Sequence, residues 1–196
     1  MSSESFKASY VAACDEEKIR ACAPVIAACD SGTQVLHCNG NSHALRNKRL
    51  LDADVKVLAK ALQHGHPFVV LNLSYNHLGR GAAESLAALL HSDSSIQVLD
   101  LAANDFDEIA AEALCAALKR NTTVQELRLS GNAILGSGGM SIAELLQRGS
   151  SIRRLYLNNC CLDTASLVSR PSPGSLSRHP PTSHDARIIT LRWPLR

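Results

Sequence analysis

The residue types that most often bind metals or carry out catalysis are present in this chain, but their spacing predicts no reactive site. None of the seven cysteines is separated from another by two residues, the spacing typical of zinc sites and redox motifs. The eight histidines are scattered, and most fall at expected helix ends or loops, where a solvated imidazole is the ordinary state. We therefore predict no metal site and reduced thiols.

Phosphate-binding and nucleophile motifs are also missing. The glycines at 131, 136, 138 and 139 are not followed by the Lys-Ser/Thr step of a phosphate-binding loop. No Gly-x-Ser-x-Gly elbow occurs anywhere in the chain. The expectation is a protein that is not an enzyme, with no catalytic residue, no cofactor and no small-molecule substrate.

Side chains suited to binding a protein partner recur at fixed places in the sequence. Opposite charges predict two ion pairs between neighbouring strands, Asp100 with Arg128 and Glu126 with Arg154. Two interpretations stay open: ordinary solvated pairs, worth about 0.2–1 kcal/mol each, or part of a binding surface that includes tyrosines. The predicted protein-binding residues are His37, Asn72, Tyr75, Asp100, Glu126, Arg128, Arg154 and Tyr156.

A repeat places these residues. Each copy has the pattern φ-x-x-Leu-x-Leu-x-x-Asn/Cys, in which φ is an apolar residue and x is any residue. The last residues of four consecutive copies, each 28 residues apart, are Asn76, Asn104, Asn132 and Cys160. A weaker first copy runs from Leu36 to Asn41, and its extra length falls in residues 42–48, which we predict to be a loop insertion.

Between these copies the apolar residues take helical spacing, as at Leu86, Ala87 and Leu90. The two leucines of each copy are predicted to point inward from a short parallel strand, and the residues beside them outward. The small residue at the middle helix position is expected to allow close packing on the sheet. Stacked units of this kind predict an α/β solenoid with strands on the concave face and helices on the convex face.

This period, with a full helix in each copy, resembles the ribonuclease-inhibitor type of leucine-rich repeat. Ran GTPase-activating proteins, tropomodulin-like actin caps and NOD-type receptors share it. Within that type, the insertion at 40–50 and the segments 52–55, 131–140 and 156–162 resemble the subfamily of leucine-rich repeat-containing protein 34. The resemblance covers roughly residues 9–168. It implies a nuclear or nucleolar setting connected with ribosome production.

Three regions are expected. Residues 1–34 are predicted to form a helical cap of two helices, with Pro24 in the first turn of the second. The predicted buried residues of this cap are Tyr10, Cys14, Ile19, Val25 and Ile26. Residues 35–168 hold about five repeats, the last incomplete.

Residues 169–196 form an Arg/Pro-rich tail, predicted to be disordered. The tail contains five arginines, five prolines and a single aspartate, and Pro171 breaks the expected helix. The chain therefore looks truncated, with an unrelated tail and an exposed apolar edge at Leu155, Leu157 and Leu162. The arginines are dispersed, so binding of nucleic acid is not favoured.

No apolar run is long enough to span a membrane, and no secretory signal is visible at the N-terminus. We expect an intracellular protein-interaction scaffold in the cytoplasm, the nucleus or both, with the nucleolus included. A Ran-type GTPase-activating regulator is an alternative, although that class carries an acidic tail. A structural component of an axonemal assembly is another.

Overall fold

A computed structural model describes residues 2–147 and 149–162 of the chain, in which helices and short strands alternate. In chain order the elements are α1 (Ser3–Glu16), α2 (Ala23–Ser31), β1 (Val35–His37), α3 (Asp52–Gln63), β2 (Val70–Asn72), α4 (Arg80–Ser92), β3 (Val98–Asp100), α5 (Glu108–Leu118), β4 (Glu126–Arg128), α6 (Leu135–Gln147) and β5 (Arg154–Tyr156).

The five strands form one parallel sheet in the order β1-β2-β3-β4-β5. Their registers align the central leucines, Leu36, Leu71, Leu99, Leu127 and Leu155, in a single row. Each of helices α3 to α6 packs against the next, and these leucines are at most 1% exposed. The arrangement confirms the predicted α/β solenoid.

The repeating asparagine explains the constant period. The Asn104 Oδ1 accepts hydrogen bonds from the N–H groups of Asn76 (3.1 Å) and Leu78 (3.3 Å) in the preceding turn. Its Nδ2 donates to the carbonyls of Leu73 and Leu101, both at 3.0 Å. One carboxamide thus ties two neighbouring repeats together, so the asparagines must recur at the repeat length.

The first copy departs from this pattern at Asn41, which is exposed and takes no place in the asparagine series. The insertion predicted at 42–48 is a loop that runs to residue 49. The chain rejoins the solenoid at Leu50, whose N–H donates to the Asn76 Oδ1 at 2.9 Å. Asn41 aligns with Asn76 by strand register, but its side chain does not form the contacts of the later repeat asparagines.

The small residues predicted to allow close packing are buried in two of the four helices. Ala59 and Cys115 are each 2% exposed, whereas Ala87 and Ala143 are only partly buried. A Cβ on Gly138 would lie 2.5 Å from Ile134 and 3.2 Å from Ala111. Glycine at that position therefore lets α6 approach α5.

The two helices predicted before the first repeat are present, and Pro24 lies in the first turn of α2. Helix α1 packs on α3, and α2 packs on β1. Among the residues expected to be buried, Tyr10, Cys14 and Val25 are, and Ile19 and Ile26 are partly buried. Phe6 was not anticipated. It is fully buried, with its ring centroid 5.2 Å from that of Phe68.

The last described strand does not show the expected exposed edge. Leu155 and Leu157 are buried, and Leu162 is partly buried. The predicted helix start near 164–168 and the predicted disordered tail at 169–196 lie outside the described residues. The proposed division into cap, repeats and tail stays a prediction.

Candidate functional site

Side chains of β1 to β5 that point away from the leucine row form one surface. We call it the strand face and define it by the first and third residues of each strand. The sheet registers bring all five predicted third-position residues into line: His37, Asn72, Asp100, Arg128 and Tyr156. Glu126 and Arg154 lie side by side in the first-position row.

The two predicted ion pairs are present and joined into one network. The Arg128 Nη1 lies 3.5 Å from the Asp100 Oδ2, and its Nη2 lies 2.6 Å from the Glu126 Oε1. The Arg154 Nε donates to the other oxygen of Glu126, Oε2. Glu126 therefore receives a guanidinium on each of its carboxylate oxygens.

The carboxylates of this network are more buried than contact residues would be. The side chains of Glu126 and Asp100 are 5% and 10% exposed, whereas those of Arg128 and Arg154 are 44% and 54% exposed. The expectation that Asp100 and Glu126 present themselves to a partner is corrected. They lie beneath the arginines and hold them in place.

Burial alone would raise the pKa of Glu126, because it disfavours the charged form. The hydrogen bonds from Arg128 and Arg154 outweigh that effect and hold the pKa below the ordinary carboxyl value. Burial lowers the pKa of Arg128, and the bond to Glu126 more than compensates, so the net shift is upward. Glu126 and Arg128 therefore both stay ionised at neutral pH.

One aromatic ring, that of Tyr156, flanks the network, and Tyr75 lies apart from it, after β2. The Arg128 guanidinium carbon lies 5.1 Å from the centroid of the Tyr156 ring, a cation–π distance. Tyr75 is 43% exposed and follows β2 in the turn, where its φ is +60°. The equivalent turn residue two repeats later is Gly131, with φ +74°. A tyrosine in this left-handed conformation is strained, by about 1–2 kcal/mol.

The remaining predicted residues differ in their freedom to bind. Asn72 is occupied, since its Oδ1 accepts from the Ser74 N–H at 3.0 Å and the Ser74 hydroxyl at 2.7 Å. His37 is exposed. Within residues 2–147 and 149–162, nothing pairs with the His37 ring, the Tyr156 hydroxyl or the terminal nitrogens of Arg154.

A buried His–Asp pair was missed by the sequence reasoning, which treated most histidines as solvated. The His66 Nε2 lies 2.8 Å from the Asp93 Oδ2, and both side chains are nearly inaccessible. The Phe68 N–H donates to the His66 Nδ1 at 3.1 Å, which places the imidazole proton on Nε2. Asp93 lies one repeat length, 28 residues, before Asn121, and Asn121 caps the next turn. The repeat therefore contained a signal that Asp93 holds a structural position.

All seven cysteines are free thiols, and only Cys161 is exposed. Burial raises the pKa of Cys115, which lies in the core, to about 12. Among the described residues, no group of three or more His, Cys, Asp or Glu side chains could hold a metal ion. In the same part of the chain, no helix is long and apolar enough to cross a bilayer.

Comparisons with known proteins agree with this architecture. A family model described as leucine-rich repeat matches residues 120–143. No curated protein sequence matches the chain. The structure of leiomodin-1 actin-binding site 2 is similar, with a TM-score of 0.56 and 21% identity, over 62% of this chain and 68% of that one.

The tropomodulin C-terminal domain of Caenorhabditis elegans is also similar. Its TM-score is 0.52 at 13% identity, over 59% of this chain and 70% of that one. Together with the parallel sheet and the alternating helices, these likenesses show that the fold is an α/β leucine-rich-repeat solenoid.

Proposed function

We propose that this leucine-rich-repeat solenoid is a non-enzymatic scaffold that binds a protein partner through its strand face. The observation that supports the proposal is the Arg128–Glu126–Arg154 network. Two guanidinium groups are fixed by a buried carboxylate, and the terminal nitrogens of Arg154 stay available as donors. Fixed side chains lose little conformational entropy when they bind, so their hydrogen bonds contribute more to affinity.

The composition of this part of the strand face fits a binding centre. Arginine and tyrosine are enriched among the residues that dominate interface energies. Arg154 and the Tyr156 hydroxyl offer donors to carboxylate or carbonyl oxygens of a partner. The Tyr156 ring, held against Arg128, offers an apolar surface beside them. A partner segment with acceptor groups and one apolar side chain has the matching chemistry.

Paired variants test this assignment. Arg154→Ala with Tyr156→Ala removes the available donors and leaves Arg128 to neutralise Glu126. The matched control is Glu112→Ala with Met140→Ala, two exposed positions on helices α5 and α6. Proteins captured by the tagged full chain are compared by quantitative mass spectrometry. Actin is included as a purified candidate, because one structural neighbour is actin-binding site 2 of leiomodin-1.

The proposal expects at least one protein that is lost with the strand-face variant and retained with the helix-face control. If the two variants capture the same proteins in the same amounts as wild type, the strand face is not the binding surface. Thermal unfolding of both variants separates a lost contact from a lost fold.

We further propose that the chain is close to the subfamily of leucine-rich repeat-containing protein 34, with a nuclear or nucleolar setting tied to ribosome production. The support is the resemblance of the insertion and of the segments after it. Tagged imaging of the full chain tests the setting against a cytoplasmic or axonemal one. Stimulated GTP hydrolysis by Ran would instead favour the GTPase-activating alternative.

A further inference from the structure

The loop inserted after the first strand, residues 42–49, carries a cluster of positive charge that the solenoid does not use. Arg46, Lys48 and Arg49 lie within four residues of one another, with His43 at the start of the loop. All four side chains belong to exposed residues. The repeats that follow, as far as the structure describes them to residue 162, carry no loop at this place, so the fold itself does not require one.

These three cations have no ion pair or side-chain hydrogen bond with any residue in the described ranges. Basic residues elsewhere on the surface are commonly paired, as in Lys60 with Glu16 at 2.8 Å and Arg80 with Asp107 at 2.6 Å. Like charges held together repel each other, and the repulsion is relieved when an anionic partner binds.

The loop is anchored to the core and is hydrogen-bonded within itself. Leu45 and Leu50 are each 5% exposed and anchor it to the core. Between them, the Arg46 N–H donates to the Ser42 carbonyl and the Lys48 N–H to the Leu45 carbonyl, both at 2.9 Å. The cations are therefore presented from an ordered backbone, which reduces the entropy lost on binding.

The acidic residues that follow the loop are committed to backbone groups. Asp52 accepts from the N–H of Gly79 at 2.7 Å and of Gly81 at 3.0 Å, which begins helix α4. Asp54 accepts from the Leu51 N–H at 2.9 Å. Neither carboxylate forms an ion pair with the loop cations.

Two exposed apolar groups lie at the ends of the loop. Leu51, 54% exposed, is the second residue after the loop. Gly40, which precedes it, packs against the backbone of Tyr75, and the Tyr75 residue is 43% exposed. The three cations are therefore followed closely by one exposed aliphatic residue, and the chain before the loop contacts the backbone of an exposed tyrosine.

We propose that the insertion loop binds an acidic protein segment whose carboxylates face Arg46, Lys48 and Arg49 and whose apolar side chains reach Leu51 or Tyr75. The chain's own segment at 169–196 is excluded as the occupant by its charge, since it holds five arginines against one aspartate. A single exposed aromatic ring is a poor platform for stacked bases, which favours a peptide over single-stranded nucleic acid. This surface is separate from the Arg128–Arg154 network.

The test measures binding of a short fluorescent peptide, rich in Glu and Asp with two leucines, to the full chain by anisotropy. The loop variant carries Arg46→Glu, Lys48→Glu and Arg49→Glu. The matched control carries three equal charge reversals at exposed, unpaired cations elsewhere, Lys18→Glu, Arg20→Glu and Arg120→Glu. A single-stranded RNA of equal charge is the competing probe, and circular dichroism checks the fold of each variant.

We expect the loop variant to lose roughly tenfold or more in peptide affinity and the control roughly twofold or less, with binding by wild type weakened as salt rises. Equal losses in the two variants overturn the proposal, as does an absence of peptide binding to wild type. Tighter binding of the RNA than of the peptide assigns the loop to nucleic acid and equally overturns it. The strand-face variant Arg154→Ala/Tyr156→Ala should bind the peptide as wild type does, so the two surfaces can fail independently.

Discussion

Replacing Glu126 by glutamine tests how the strand-face arginines are held. The substitution keeps the shape of the side chain but removes the charge that Arg128 and Arg154 share. Hydrogen bonds to charged groups contribute about 1.5–3 kcal/mol each, and half-exposed arginines reduce that gain through solvent screening. We therefore expect Glu126→Gln to lower the free energy of unfolding by about 1–2 kcal/mol at neutral pH.

The pH dependence of this loss follows from the pKa of Glu126, which is lower in the folded chain than in the unfolded one. The stabilisation is fully present above the unfolded carboxyl value and is lost as pH falls through the folded pKa. Glutamine does not titrate, so the gap between wild type and Glu126→Gln should narrow on acidification.

Urea unfolding followed by circular dichroism, at a series of pH values from neutral to acidic, measures that gap. A gap that stays constant with pH would show that the charge of Glu126 is not what stabilises the network. Equal stability of the two proteins at neutral pH would refute the reasoning outright.

Three further substitutions probe the fold, each by urea unfolding. Asn104→Ala leaves buried N–H and carbonyl groups unsatisfied and should cost about 3 kcal/mol or more, whereas a loss under about 1 kcal/mol would deny the asparagine its role. Gly40→Ala places a Cβ 1.8 Å from the Tyr75 carbonyl oxygen and should cost about 1–3 kcal/mol, and an unchanged midpoint would contradict that contact. Asp93→Asn removes the negative charge beside His66, and because the pKa of Asp93 is lowered in the fold, the wild-type advantage should fade as pH drops through the folded pKa. A difference in the free energy of unfolding that increases as pH falls would contradict stabilisation by the charge of Asp93.

The repeat made the fold predictable from sequence, because one asparagine contact per turn fixes the chain length between turns. The same regularity fixed strand register, so Asp100 and Arg128 could be paired without coordinates. The exposed side chain of Asn41 was not predictable, because a pattern match does not show where an inserted loop leaves the solenoid. Its neighbour Gly40 has the close contact with Tyr75 that sets that point.

The candidate site was predictable in position but not in burial. Adjacent rows placed Glu126 beside Arg154, yet the sequence does not reveal that two arginines fold over the carboxylate and bury it. Phe6 and His66 have no counterpart in the other repeats, so the periodic pattern did not predict that they are buried. Their packing depends on contacts between the N-terminal helix and the first full repeat, which are distant in sequence.

Calorimetric titration of the partner recovered by the full chain tests the proposed binding surface most directly. Residues at the centre of an interface commonly contribute about 2 kcal/mol or more, so Arg154→Ala with Tyr156→Ala should weaken binding by roughly thirtyfold. The helix-face pair Glu112→Ala with Met140→Ala should leave the affinity within about twofold of wild type. Equal affinities for the two variants, or a loss confined to the helix-face pair, would contradict binding through the strand face.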